Sequence, residues 1–218
     1  MGYHRAGFEV VGVDIKPQPH YPFEFHQADA MTYPLDGFDV IHANPPCQAF
    51  SYAASQWRAQ GREYPDLLTP TRTRLQASGL PYVIENVPGA PLKNPTILNG
   101  PMFGLHIHRT RLFETNFPLP LVLLPQAGKV GPRMGRAPKE GEMLMPIGHF
   151  SGVDYGRREM GCPWMNQGEL AQAIPPAYTE YIGKELLKVL ATYGQPLREH
   201  RLLAQIATSQ IGENDSWP

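Results

Sequence analysis

The chain has 218 residues, enough for one globular domain with a real core, and its 42% hydrophobic and 18% charged content excludes a disordered polymer. A formal net charge of −1 excludes a global basic field, so any hold on nucleic acid must come from a local strip. Two cysteines, with no signal peptide and no apolar run near the roughly 20 residues of a bilayer span, lead us to expect reduced thiols in a cytoplasm and no membrane.

Proline, at 24 residues, is about twice its ordinary share of about 5%, which predicts short elements and many turns. In chain order, residues 2–6 read as a short helix and Phe8-Glu-Val-Val-Gly-Val-Asp14 as a buried strand ending on a carboxylate. Residues 38–42 form a second strand, broken by Asn44-Pro45-Pro46. A helix over 71–78 is closed by Gly79, and residues 81–85 form a third strand, ended by Asn86-Val87-Pro88-Gly89. Short strands alternating with helices predict an α/β parallel sheet, in which functional side chains gather past the carboxyl ends of the strands. Asp14, Cys47 and Glu85 all sit there. From 116 to 150 the texture is Gly, Pro, Met and basic residues without periodicity. Helices return at 167–173 and 178–193, the latter with Ile182, Leu186, Val189, Leu190 and Tyr193 on one face. Residues 197–211 predict a weaker helix, and 212–218 a tail.

Three strand-end features carry chemistry. Cys47 follows two prolines that fix φ and stiffen the turn, which suits an aimed nucleophile; a small buried cysteine is the plainer alternative. Glu85 is either a surface charge or cap, or a desolvated acid able to hold a proton and donate it to a ring nitrogen. Arg109 and Arg111, two apart, predict one face of a strand, either solvated or aimed at a phosphate or carbonyl oxygen.

Taken together, Asn44-Pro45-Pro46-Cys47-Gln48-Ala49-Phe50-Ser51, then Glu85-Asn86-Val87, then Arg109-Thr-Arg111, resemble the DNA (cytosine-5) methyltransferase family. Leu170-Ala-Gln172-Ala-Ile-Pro175-Pro176 is similar to that family's last motif. The resemblance implies a Rossmann-like, S-adenosylmethionine-dependent sheet acting on double-stranded DNA. It implies that Cys47 adds to C6 of a flipped cytosine, Glu85 serves N3, Arg111 holds O2 and Arg109 supports the loop or Glu85. Pro46, Gln48, Ser51, Asn86 and Val87 would line the base pocket. Asp14 and Ile15 would meet the ribose side of the cofactor, Asp29 and Ala30 the adenine, Asn44 and Pro45 the methionine part, with Gln172 nearby.

The family's opening strand and glycine-rich turn have no counterpart before residue 8, so the expected sheet lacks its first, central strand and should expose apolar surface. Either the start lies upstream of Met1 or the chain is truncated and deficient in cofactor binding. The organisation expected is an incomplete α/β core over 1–115, a short loop-rich target-recognition segment over 116–166, helices over 167–211 and a tail. Within that segment Lys129, Arg133, Arg136 and Lys139 suit a DNA backbone, and its size predicts a short target. His106, His108, His149 and Cys162 fit no zinc spacing, so no metal is expected. The chain resembles compact members carried by bacterial viruses, and a monomer is expected. Two rival functions remain: a DNA-binding relic without cofactor, and a pyrimidine-nucleotide C5-modifying enzyme.

Overall fold

The computed structural model describes residues 1–123, 125, 128–192 and 200–205. Seven strands form one mixed sheet in the order β2-β1-β7-β3-β4-β6-β5. They are β1 (Phe8–Asp14), β2 (Glu24–Gln27), β3 (Val40–Ala43), β4 (Tyr82–Asn86), β5 (Thr96–Leu98), β6 (Arg111–Thr115) and β7 (His200–Gln205). The first five in that order run parallel; β6 is antiparallel to β4, and β5 antiparallel to β6. The architecture is α/β and consistent with a Rossmann-like fold.

The sheet is not open at its centre. β7 fills the slot between β1 and β3, pairing in parallel with both, so that Leu203 lies in register with Val11 on one side and Ile41 on the other. The expected helix over 197–211 is corrected over 200–205, and the expected loss of the central strand is corrected with it. Leu202 and Leu203 point to opposite faces, and both are fully buried. A strand covered on both faces reads as a continuous apolar run, and tertiary pairing outweighs the helical propensity of Leu-Leu-Ala. Residues 193–199 and 206–218 lie outside the described residues, and with them the predicted tail and the role expected of Tyr193.

Helices cover both faces. One carries α1 (Gly2–Ala6) and α6 (Pro176–Thr192), which pack Tyr3, Tyr178, Ile182, Leu186 and Leu190 on Phe8, Val10, Val40, Val83 and Leu202. The two helices meet backbone to backbone. A Cβ on Gly2 would stand 2.1 Å from the Pro176 carbonyl oxygen, which admits only glycine. The opposite face packs Leu68 and Leu75 of α3 (Leu68–Ser78) on Ile41 and Ile84, while Tyr33, Leu35 and Phe38 lie against Val11, Val13 and Leu203. Across the antiparallel edge, Arg72 of α3 grips Glu114 of β6 with two bonds of 2.7 and 2.8 Å, and Glu114 also accepts Lys93 N at 2.7 Å.

The segment over 116–166 is loop-rich as expected but contains a helix that the sequence reading did not foresee, α4 (Val153–Met160). With α5 (Gln167–Gln172) it builds a separate small core of Ile107, Leu144, Phe150, Met160, Cys162 and Leu170.

Candidate active site

Parallel register explains why distant residues meet. Ala43 stands opposite Ile84, so the next residues, Asn44 and Glu85, emerge side by side at the strand ends. Asn44 Nδ2 donates to Glu85 Oε2 at 2.7 Å. Because β6 runs antiparallel to β4, its first residue lies at the end of β4, and Arg111 Nε sits 2.8 Å from Glu85 Oε1. That contact is an ion pair off the donor direction, for Oε1 accepts no directed hydrogen bond although it is buried. Burial raises the Glu85 carboxyl above its ordinary value, opposed by Arg111, by the Asn44 amide and by Arg109.

Asn86 holds the turn that carries Cys47. Its Nδ2 donates to the Pro45 carbonyl at 3.0 Å while its Oδ1 accepts Val87 N. Past Cys47 the chain turns at once, Phe50 N and Ser51 N both donating to the Cys47 carbonyl, and Ser51 Oγ accepts Ala54 N to start a short helical turn. Arg58, which the sequence reading missed, fastens this loop through Nη1 to the carbonyls of Gln48 (2.6 Å) and Ser51 (2.8 Å). The only cue was a basic residue eleven positions after the thiol. Gly89, at φ +99°, lets the loop after Glu85 pass the Phe50 carbonyl closely.

Cys47 is half-buried, and its thiol is raised by burial and then by the Glu85 charge, against Arg111, its own backbone hydrogen bond and Arg109. At rest the thiol therefore keeps its proton, which a nucleophile must lose.

Arg109 is not part of the strand, which begins at Arg111; the expected shared face is corrected. Arg109 is instead a buried clamp. It donates from Nη1 to Pro146 O (2.6 Å) and from Nη2 to Ala171 O (2.7 Å), while Tyr178 Oη donates to its carbonyl. It thereby ties the insertion and α5 to the sheet, because its fork geometry matches carbonyls on two separate segments.

The residues expected to hold a cofactor are less united. Asp14 is fully buried, and its oxygens are taken by Lys16 N (2.8 Å) and Gln18 Nε2 (3.2 Å). Ile15 is exposed, as is Asp29, whose Oδ1 accepts Met31 N, and Ala30 is half-buried beside it. Gln172, the last residue of α5, is exposed. The fit to S-adenosylmethionine fails at the ribose: in this arrangement Asp14 offers no oxygen to a diol. Pro45 is buried, its carbonyl held by Asn86, and the Asn44 amide is given to Glu85.

A cleft of about 330 Å³ separates the Cys47 loop from the insertion, lined by Tyr52, Gln56, Arg133, Met134, Ile147 and His149. Lys129, Arg133 and Lys139 are exposed. Arg136 is already engaged, its two terminal nitrogens on Glu142 at 2.7 and 2.9 Å, which holds that carboxyl down to about 2. His106 pairs with Glu159, and Cys162 belongs to the small core. Among the described residues no helix is long and apolar enough to cross a membrane.

Neither the protein-family models nor the curated proteins contain a match to this chain.

Proposed function

We propose that this chain modifies C5 of cytosine in DNA, after the manner of the DNA (cytosine-5) methyltransferases that its motifs resemble. The observation that carries the reading is Glu85, buried beside Cys47, its Oε2 satisfied by Asn44 and its Oε1 left without a directed partner. A ring nitrogen carrying or receiving a proton would complete it.

The charges of the site support a balanced step. Transfer of the Cys47 proton to Glu85 removes the carboxylate that disfavours the thiolate and leaves Arg109 and Arg111 to stabilise it. The sulfur then forms a bond to C6. The C5–C6 electron pair moves into the ring, and Glu85 passes its proton to N3, so no net charge accumulates on the base. C5 is now nucleophilic. When it has taken an electrophile and lost its own proton to solvent, N3 returns its proton to Glu85, the S–C6 bond breaks with its electron pair on sulfur, and the C5–C6 double bond is restored. Arg111 is the proposed donor to O2. The cleft beside the Cys47 loop, with Arg133 on its far wall, suits a backbone phosphate near a flipped base.

S-adenosylmethionine is the donor proposed from the resemblance, and Asp14 would first have to open its turn to meet the ribose. That closure favours the second reading, a DNA-binding relative that does not use the donor. Release of tritium from duplex DNA carrying [5-³H]cytosine, without any donor, tests the addition to C6: exchange that depends on Cys47 and Glu85 is expected, and its absence refutes the reaction. Calorimetry with S-adenosylmethionine and bisulfite sequencing of co-expressed DNA then separate methyltransferase from relic. Equal exchange from dCMP would favour the nucleotide-modifying alternative.

A further inference from the structure

A line of buried polar groups runs from the first helix to Glu85. Tyr3 Oη lies 2.5 Å from His42 Nδ1. Next in line is Asn44, whose side chain opposes by hydrogen bonding the fall of the His42 pKa and whose Nδ2 donates to Glu85 Oε2. Neither Tyr3 nor His42 was singled out by its position in the sequence, and both are buried, by 5% and 3% exposure.

Only one set of donors and acceptors satisfies the whole line. An amide that gives its N–H to a carboxylate has only its oxygen left for His42. His42 must therefore donate to Asn44 from Nε2, and a neutral imidazole that donates from Nε2 accepts at Nδ1. The hydrogen on Nδ1's partner then belongs to Tyr3. Every step points toward Glu85, and each group is satisfied once.

We infer, on the basis of the reaction proposed above, that Asn44 is a positioning residue: held by His42 and Tyr3, it pins Glu85 Oε2 as an acceptor and reserves Oε1 as the oxygen that carries the proton to the base. A freely rotating amide would present its oxygen to Glu85 half the time, and the proton would then reside on Oε2, away from the pocket. Burial supports the arrangement, since it holds His42 down to about 3 and thus neutral in a single tautomer. The charged and titratable groups that face Glu85 are Arg111 from β6, Arg109 from the loop before it and Cys47 from the loop after β3. His42 is faced by Tyr3 from α1 and by the Phe113 ring from β6.

The test uses the full chain and needs no DNA. Nitrogen-15 NMR should find His42 as the Nε2–H tautomer with no titration between pH 5 and about 8; an Nδ1–H tautomer, or protonation near 6.5, overturns the inference. Carbon-13 NMR of the Glu85 carboxyl reads its titration. In Asn44→Leu, which removes the donor to Glu85 without adding a charge, the Glu85 titration should rise by about one pH unit or more. An unchanged Glu85 titration in this uncharged variant also overturns the inference. His42→Gln, whose amide accepts from Tyr3 and donates to Asn44, should keep the wild-type titration, whereas His42→Leu should lose it. Failure of the tritium exchange would sink the proposed reaction, whereas the NMR readouts judge the relay independently of it.

Discussion

Val11 and Leu203 lie side by side in the middle of the sheet, on parallel strands drawn from nearly opposite ends of the chain. β7 contributes Leu202 to one face of the core and Leu203 to the other, and its backbone joins β1 to β3. Leu203→Ala should cost about 2–5 kcal/mol, since the packed β1 and β3 neighbours cannot collapse into the cavity. Urea unfolding followed by circular dichroism should show the lower midpoint with an unchanged slope. A chain ended at Thr192 should lose cooperative unfolding altogether, because two sheet halves would face water along unpaired edges. Cooperative unfolding of that truncated chain would show β7 to be dispensable.

Arg72 and Glu114 form a buried bidentate pair that ties α3 to the antiparallel edge. Removing one partner leaves the other charge buried, so Glu114→Leu alone should cost about 3–5 kcal/mol, whereas Arg72→Met with Glu114→Leu should recover most of the loss. The double-mutant cycle, measured by thermal unfolding, returns the coupling. Additive effects of the two changes would contradict the pairing.

Cys47 is the accessible thiol of the two, Cys162 being buried in the small core. Its pKa lies above the ordinary thiol value, first through burial and then through Glu85. Alkylation by iodoacetamide should therefore be slow at neutral pH and climb only in the alkaline range. Glu85→Gln should move that climb to lower pH, since removing the carboxylate favours the thiolate. Mass-spectrometric rates across pH check this, and a profile indifferent to Glu85→Gln would disconnect the two groups.

His42 stays neutral down to about pH 3 in the folded protein, against an ordinary value of 6.5, because burial disfavours its charged form. Between those values the unfolded chain binds one proton more than the folded chain. Stability therefore falls as pH drops through 6.5, at up to about 1.4 kcal/mol per unit, until the folded ring also titrates. His42→Gln should flatten this part of the stability profile measured by urea unfolding between pH 4 and 7. An unchanged slope would show that His42 is not held neutral.

Much of this molecule was legible from local pattern. The runs ending at Asp14 and Glu85, the prolines before Cys47 and the apolar face of α6 follow from the period of a strand or helix and from the stiffness of proline, which neighbouring residues determine by themselves. The α/β pattern by itself placed Cys47 and Glu85 at strand ends on one edge of the sheet, whereas Arg111 beside them was expected only through a resemblance of motifs. Other features were decided by the tertiary structure alone. Residues 200–205 carry a pattern compatible with a helix, and only the empty slot between β1 and β3 makes them a strand. Arg109, two residues before Arg111, turns away to clamp Pro146 and Ala171, partners 37 and 62 residues further on. The Asn44 amide is turned onto Glu85, 41 residues further on, and Tyr3 reaches His42 across 39 residues. In each case the deciding energy is a buried polar or apolar contact between residues far apart in the chain, and spacing along the sequence does not encode it.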